Sequence, residues 1–165
     1  MEDWFTTEWV DEGTAVISEY RHWEETHCYL VIGDERALLI DTGLGVGDIL
    51  AQVRQLTDKT VVAVATHIHW DHIGGHRLFP IFYAHRAEQA WLEGDFPLPI
   101  QAVRRMLSEN CVLPEDFDLN DLRDICASGR PSRAICSAAT WPTKGRCSPT
   151  TPLRIRKAIF VLWRE

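Results

Sequence analysis

A chain of 165 residues, 45% hydrophobic and 25% charged, is long enough for one domain with its own core. Its net charge of -7 disfavours nucleic acid and anionic membranes as partners, and no apolar run approaches the ~20 residues of a membrane span. The acidic start Met1-Glu2-Asp3-Trp4 lacks the basic and apolar stretches of a signal peptide, so a cytoplasmic location is the expectation. The five cysteines are Cys28, Cys111, Cys126, Cys136 and Cys147. Their odd number and the lack of a C-x-x-C pair point to free thiols in a reducing compartment.

Residues 14–20 and 28–32 are rich in β-branched and aromatic side chains and predict strands. Gly33-Asp34 predicts a turn, and Arg36 to Ile40 a third strand. Three strands this close together imply an antiparallel meander. Asp41-Thr42-Gly43 ends the third. From Val46 to Leu56 the apolar positions Val46, Ile49, Leu50, Val53 and Leu56 have helical spacing. The continuous apolar run Val61 to Ala65 predicts a strand buried on both faces, which completes a βαβ unit. Further on, the sequence predicts a short strand over 81–84 and helices over 86–92 and 98–107, the last starting near Pro99. No internal repeat is present.

The chemistry concentrates directly after the buried run, in Thr66-His67-Ile68-His69-Trp70-Asp71-His72-Ile73-Gly74-Gly75-His76. His67 and His69 are two apart, and at a strand end alternate side chains share a face, so two imidazoles can reach one metal. Asp71 and His72 follow on a turn and can point back to a second metal. Gly74 and Gly75 let backbone pass close to the site and open a helix. Four potential ligands in six residues exceed what a solvated loop requires. Trp70 either faces substrate or packs beneath the metals. His22 and His27 lie in an aromatic and acidic stretch, at a pocket mouth or on the surface. His76 reads as structural, and His85 as a weak ligand candidate.

The run THIHWDHIGG resembles the T-H-x-H-x-D-H-x-G-G signature of the metallo-β-lactamase superfamily, and Leu39-Ile40-Asp41-Thr42-Gly43 resembles that family's earlier strand ending in D-T-G. The resemblance covers roughly residues 12–110. It implies an α/β fold, the αββα sandwich of two mixed sheets with helices outside, with the site at one sheet edge. It implies His67 and His69 as ligands of a first metal, Asp71 and His72 as ligands of a second, and Asp41 as a carboxylate that orients the ligands from behind. Gly43, Gly74 and Gly75 would be the structural glycines. Zinc is the expected ion, at two sites in the family, with iron as the other candidate. Such metals lower the pKa of bound water to about 7 and supply hydroxide, which Asp71 would orient as the catalytic carboxylate.

The chain also departs from the family. No histidine follows His85. The family's downstream T-P-G-H-S-x-G-H and S-G-D segments and its last histidine have no counterpart, so the expectation is that the C-terminal half of the sandwich is largely missing. Residues 1–133 are the expected N-terminal part of the domain, and 134–165 an atypical tail without periodicity. Joining each codon's third base to the next two gives a permitted reading of T-P-A-H-S-Q-G-H-L-C over Thr151 to Val161. Over Ile135 to Gly145 the same shift permits L-Q-R-G-D-V-A-D-E-G. Both resemble the missing segments in the correct order, so the expectation is a frameshift near Ala134 to Cys136. A short variant with an unrelated C-terminus is the competing reading.

The resemblance implies a metal-dependent hydrolase, with zinc, acting on an ester, thioester or lactam, and impaired in this chain. The alternatives are a mononuclear iron oxidoreductase of the persulfide dioxygenase kind on the same fold, and a non-enzymatic remnant. A small molecule is the expected partner. Oligomeric state is not legible in the sequence.

Overall fold

The computed structural model describes residues 4–92, 98–109, 111–120 and 122. Strands β1 (Thr6–Asp11), β2 (Thr14–Ser18), β3 (His27–Ile32), β4 (Arg36–Ile40), β5 (Thr60–Val64) and β6 (Phe82–Tyr83) form one sheet in sequence order. The first four are antiparallel neighbours, whereas β4–β5 and β5–β6 are parallel. Helix α1 (Ile49–Leu56) makes the crossover from β4 to β5, as a parallel pair requires. The described residues thus have the α/β class expected from the sequence. The proposed division at residue 134 and the tail beyond it lie outside the described residues.

Period-two alternation sorts the sheet's side chains. Ala15, Ile17, Cys28, Leu30, Ala37, Leu39, Val61, Ala63 and Phe82 fall on one face by register, and all are buried. A Gln52 to Thr7 hydrogen bond of 2.9 Å sets α1 across this face, where Ile49 and Val53 are buried. Each large aliphatic sealed there contributes roughly 1.5–3 kcal/mol. The opposite face carries Val16, Tyr29, Leu38, Ile40, Val62 and Val64, which are half-buried or exposed. The expectation that Val61 to Ala65 is buried on both faces therefore holds for one face only. Continuous hydrophobicity reports that both faces are apolar, not that both are covered.

Element ends differ from expectation for local reasons. α1 begins at Ile49 rather than Val46, because the Asp48 side chain caps it by accepting from the Ala51 N–H at 2.9 Å. β2 stops at Ser18, which frees Glu19 and Tyr20. Residues 86–88 form a 3-10 turn that opens the helical stretch running to Leu92. Helix α3 (Ile100–Ser108) starts after Pro99 as expected. β1 was not foreseen. It is an edge strand whose Trp9 and Val10 remain exposed, so no clean alternation marks it.

Candidate metal centre

β5 ends at Val64, and the next residues lead into helix α2 (Trp70–Ile73). Ile68 and Trp70 are sealed in the core, whereas His67 and Asp71 are half-buried and His69 is exposed. The His67 ring lies 4.5 Å from that of His69 and 4.1 Å from that of His72, centroid to centroid. Asp71 Oδ2 lies 3.2 Å from His72 Nε2. The four residues singled out in the sequence thus meet in one cluster. Trp91 stacks on His69 with ring planes 16° apart, a neighbour that the sequence did not signal.

Asp41 stands behind the cluster. Its Oδ1 accepts the Thr66 N–H at 2.7 Å, and its Oδ2 lies 2.9 Å from His72 Nδ1. The Thr66 hydroxyl contacts both carboxylate oxygens and sits 3.0 Å from His67 Nδ1. One carboxylate therefore fixes two ring orientations, directly for His72 and through Thr66 for His67. Reaching this position costs Asp41 a left-handed backbone, φ 62°, which aspartate tolerates better than most residues.

The loop carrying Asp41 and the segment after the clustered histidines are knitted together. Thr42 N–H donates to His72 C=O at 2.8 Å, and Gly74 N–H to Gly43 C=O at 2.7 Å. A Cβ on Gly74 would sit 2.2 Å from the Leu44 carbonyl carbon, and one on Gly75 would lie 2.8 Å from the Thr42 carbonyl oxygen. Both glycines serve close backbone approach. The helix expected to follow them precedes them instead, and a 3-10 turn over His76–Leu78 follows. Gly43 combines φ 69° with a carboxylate oxygen of Glu19 where its side chain would be.

Charge is unevenly held. Burial opposes the His72 imidazolium, but its hydrogen bonds to the Asp41 and Asp71 carboxylates outweigh it and raise its pKa to about 10. For Asp71, burial pushes the carboxyl up, yet the His72 bond and charge dominate and hold it below the usual range. Burial, then the charges of His72 and His69, lowers His67. The cluster thus favours positive charge on His72 between two carboxylates and disfavours it on His67.

That donor set suits a divalent cation. Nitrogen and carboxylate oxygen are zinc's ordinary ligands, and Asp71 and His72 atoms 3.2 Å apart can share an ion at the ~2.0–2.2 Å of such bonds. Among the described residues no three His, Cys, Asp or Glu side chains are disposed as a complete metal-holding group.

The other histidines are elsewhere engaged. His22 is buried and meets Trp70 edge to face at 5.9 Å, which also answers for Trp70: it packs into the core rather than facing substrate. His27 Nδ1 lies 2.8 Å from the Ser18 hydroxyl. His76 is buried against Phe82, and its burial lowers its pKa to about 4. His85 caps the turn over residues 86–88 by accepting the Ala87 N–H. Sequence reading missed Glu19. Its carboxylate is fully buried and, chiefly through that burial, titrates at about 7. Its place just past a strand end gave no sign of this.

The profile of the metallo-beta-lactamase superfamily matches residues 22–101, a span that includes Asp41 and all four clustered residues. The match takes in just under half of the chain and supports its placement in that superfamily. Within it, the chain is 34% identical over 105 residues to the acyl-coenzyme A thioesterase MBLAC2 of Gallus gallus, covering 56% of this chain and 38% of that protein. To its Homo sapiens counterpart it is 32% identical over 108 residues, with 56% and 39% covered. The chain thus spans well under half the length of these relatives. Among solved structures it is similar to the DIM-1 metallo-β-lactamase exposed to ceftazidime, at TM-score 0.48 and 19% identity, covering 59% of this chain and 50% of that one. The BLEG-1 B3 metallo-β-lactamase is similar at TM-score 0.37 and 29% identity, with 42% and 36% covered.

Proposed function

We propose that this chain carries the ligand loop of a zinc-dependent hydrolase whose substrate is a thioester of the acyl-coenzyme A kind. The carrying observation is the cluster itself: three imidazoles ring to ring, with Asp71 beside and Asp41 behind. His67 and His69 would hold one ion, and Asp71 and His72 another. When bound, such ions acidify water and stabilise an oxyanion. Asp71 would accept a hydrogen bond from the attacking water and orient it toward the carbonyl carbon. Water adds there, the C–S bond breaks, and a carboxylate and a thiol leave. Trp91, stacked on His69, offers an apolar wall beside the reacting centre. The thioester preference draws on the MBLAC2 relatives.

The lack of a complete three-donor group among the described residues favours a second reading of the same site. With two ligands per ion the chain would hold metal weakly and turn over slowly.

The experiment is metal analysis of the purified 165-residue chain, followed by turnover of an acyl-coenzyme A and of a chromogenic cephalosporin. Zinc with thioester cleavage supports the proposal, and weak zinc with slow cleavage supports the second reading. Iron as the bound metal, or a lactam cleaved in preference to the thioester, overturns it.

A further inference from the structure

Glu19 is the one acidic side chain of the described core with no exposed surface, and it stands outside the ligand cluster. It lies just past the end of β2, where its backbone N–H still donates to the Thr26 carbonyl at 3.0 Å. Its carboxylate is used on both sides. Oε1 accepts the Trp4 indole N–H at 2.6 Å, and Oε2 accepts the Leu44 backbone N–H at 2.8 Å. The loop has made room for it: a Cβ at Gly43 would sit 2.2 Å from Oε2. A buried carboxylate costs several kcal/mol unless its hydrogen bonds are made, so this loop and this acid fit one another or neither is stable.

The loop that Glu19 grips is the one that presents Asp41. Two residues separate Asp41 from Leu44, and that stretch leaves ordinary backbone twice, with φ 62° at Asp41 and 69° at Gly43. A segment held in such conformations persists only where its surroundings fix it. On its far side the loop is fixed by the bonds from Thr42 to His72 and from Gly74 to Gly43. On its near side the Leu44 N–H is fixed by Glu19. Trp4 anchors the carboxylate in turn and is itself buried.

We propose that Glu19 is a positioning residue, a buried carboxylate that clamps the Asp41–Gly45 loop so that Asp41 holds His72 and Thr66 in place. It touches neither substrate nor ligand side chain. It acts through Leu44 and Gly43 upon the carboxylate that orients two imidazoles. In its relation to metal the inference rests on the function proposed above, while in its relation to the loop it does not.

The test is Glu19→Gln in the whole 165-residue chain. Gln keeps the shape but turns one acceptor into a donor, so either Trp4 or Leu44 loses its partner. Metal-free amide exchange is measured first. Exchange should quicken about tenfold at Leu44, Thr42, Gly74 and Thr66, the donors that fix the loop and its ties, while strand amides of Leu30 and Leu39 change little. Val53→Ala, a cavity in α1 away from the loop, supplies the pattern of a merely structural loss, in which strands and loop quicken together. Acceleration confined to Leu44, or spread as in Val53→Ala, overturns the proposal. Should Glu19→Gln not fold, Trp4→Phe removes only the indole donor and must quicken the same four amides. Zinc titration then follows, with an expected loss of about tenfold in affinity. A wild-type chain that binds no zinc defeats the functional reading and leaves the loop clamp to be judged by exchange. A wild-type chain that binds zinc no better than Glu19→Gln defeats the clamp's reach to the site.

Discussion

His72 Nδ1 lies 2.9 Å from Asp41 Oδ2, although the two are 31 positions apart in the chain. That contact fixes the ring's orientation and leaves Nε2, next to Asp71, as the nitrogen that faces the cluster.

Removing the charge from this contact should cost metal, not fold. Asn accepts the left-handed backbone that Asp41 adopts, so Asp41→Asn keeps the loop while weakening its hold on His72 and Thr66. Zinc affinity should fall by about 10–100-fold, read by competition with a chelator, with little change in thermal midpoint. An unchanged affinity would separate Asp41 from the metal function.

Gly74→Ala should be among the most damaging single-methyl changes in the chain. Its φ of -56° suits any residue, so the cost is purely steric. The new carbon would meet Leu44 backbone at 2.2 Å and the Gly45 nitrogen at 2.4 Å, and backbone cannot swing aside. A loss of about 3 kcal/mol or more is expected in urea unfolding. Gly13→Ala, whose nearest neighbour would be a carbonyl oxygen at 3.3 Å, should cost far less.

Two buried groups pull the pH dependence of stability in opposite directions. Glu19, raised by burial from 4.5 to about 7, keeps its proton in the folded protein over a range where the unfolded chain has lost it. Its stabilising contribution is complete below the lower value and is lost as pH rises through the upper one. His76, lowered by burial from 6.5 to about 4, contributes above its unfolded pKa and loses that contribution as pH falls through about 4. Whatever its cost at low pH, the stability of Glu19→Gln should therefore shift in its favour relative to wild type as pH rises from about 4.5 to about 7, by up to roughly 3 kcal/mol. His76→Gln should gain relative to wild type as pH falls from about 7 to about 4. Urea midpoints across pH, measured in chelator, check both signs, and parallel curves would refute them.

The tail makes a prediction about the gene. Sequenced from codon 130 onward, the alternative frame should encode two histidines within a T-P-A-H-S-Q-G-H run opposite Thr151 to Val161. A protein expressed in that frame should gain zinc affinity and thioester hydrolysis together. If those two histidine codons are absent, the frameshift reading is finished and the tail is a variant in its own right.

By itself the sequence determined the elements whose periodicity is strong and the grouping of three histidines with one aspartate, because those signals are local. β4, α1, β5 and α3 follow from apolar spacing. His67, His69, Asp71 and His72 lie within six residues, and one short segment at a strand end can only bring them together. The D-T-G stop marked Asp41 for the same reason. What only the tertiary structure decided depends on residues far apart in the chain. It put His22 under Trp70, left Val62 and Val64 half-covered on a face that the sequence reads as buried, and added β1 as an edge strand with Trp9 and Val10 exposed. Above all it buried Glu19 between Trp4 and Leu44, 15 residues before it and 25 after it. No period or motif reports such a group, since its environment is assembled from three separate segments and its chemistry is set by that environment rather than by its neighbours in sequence.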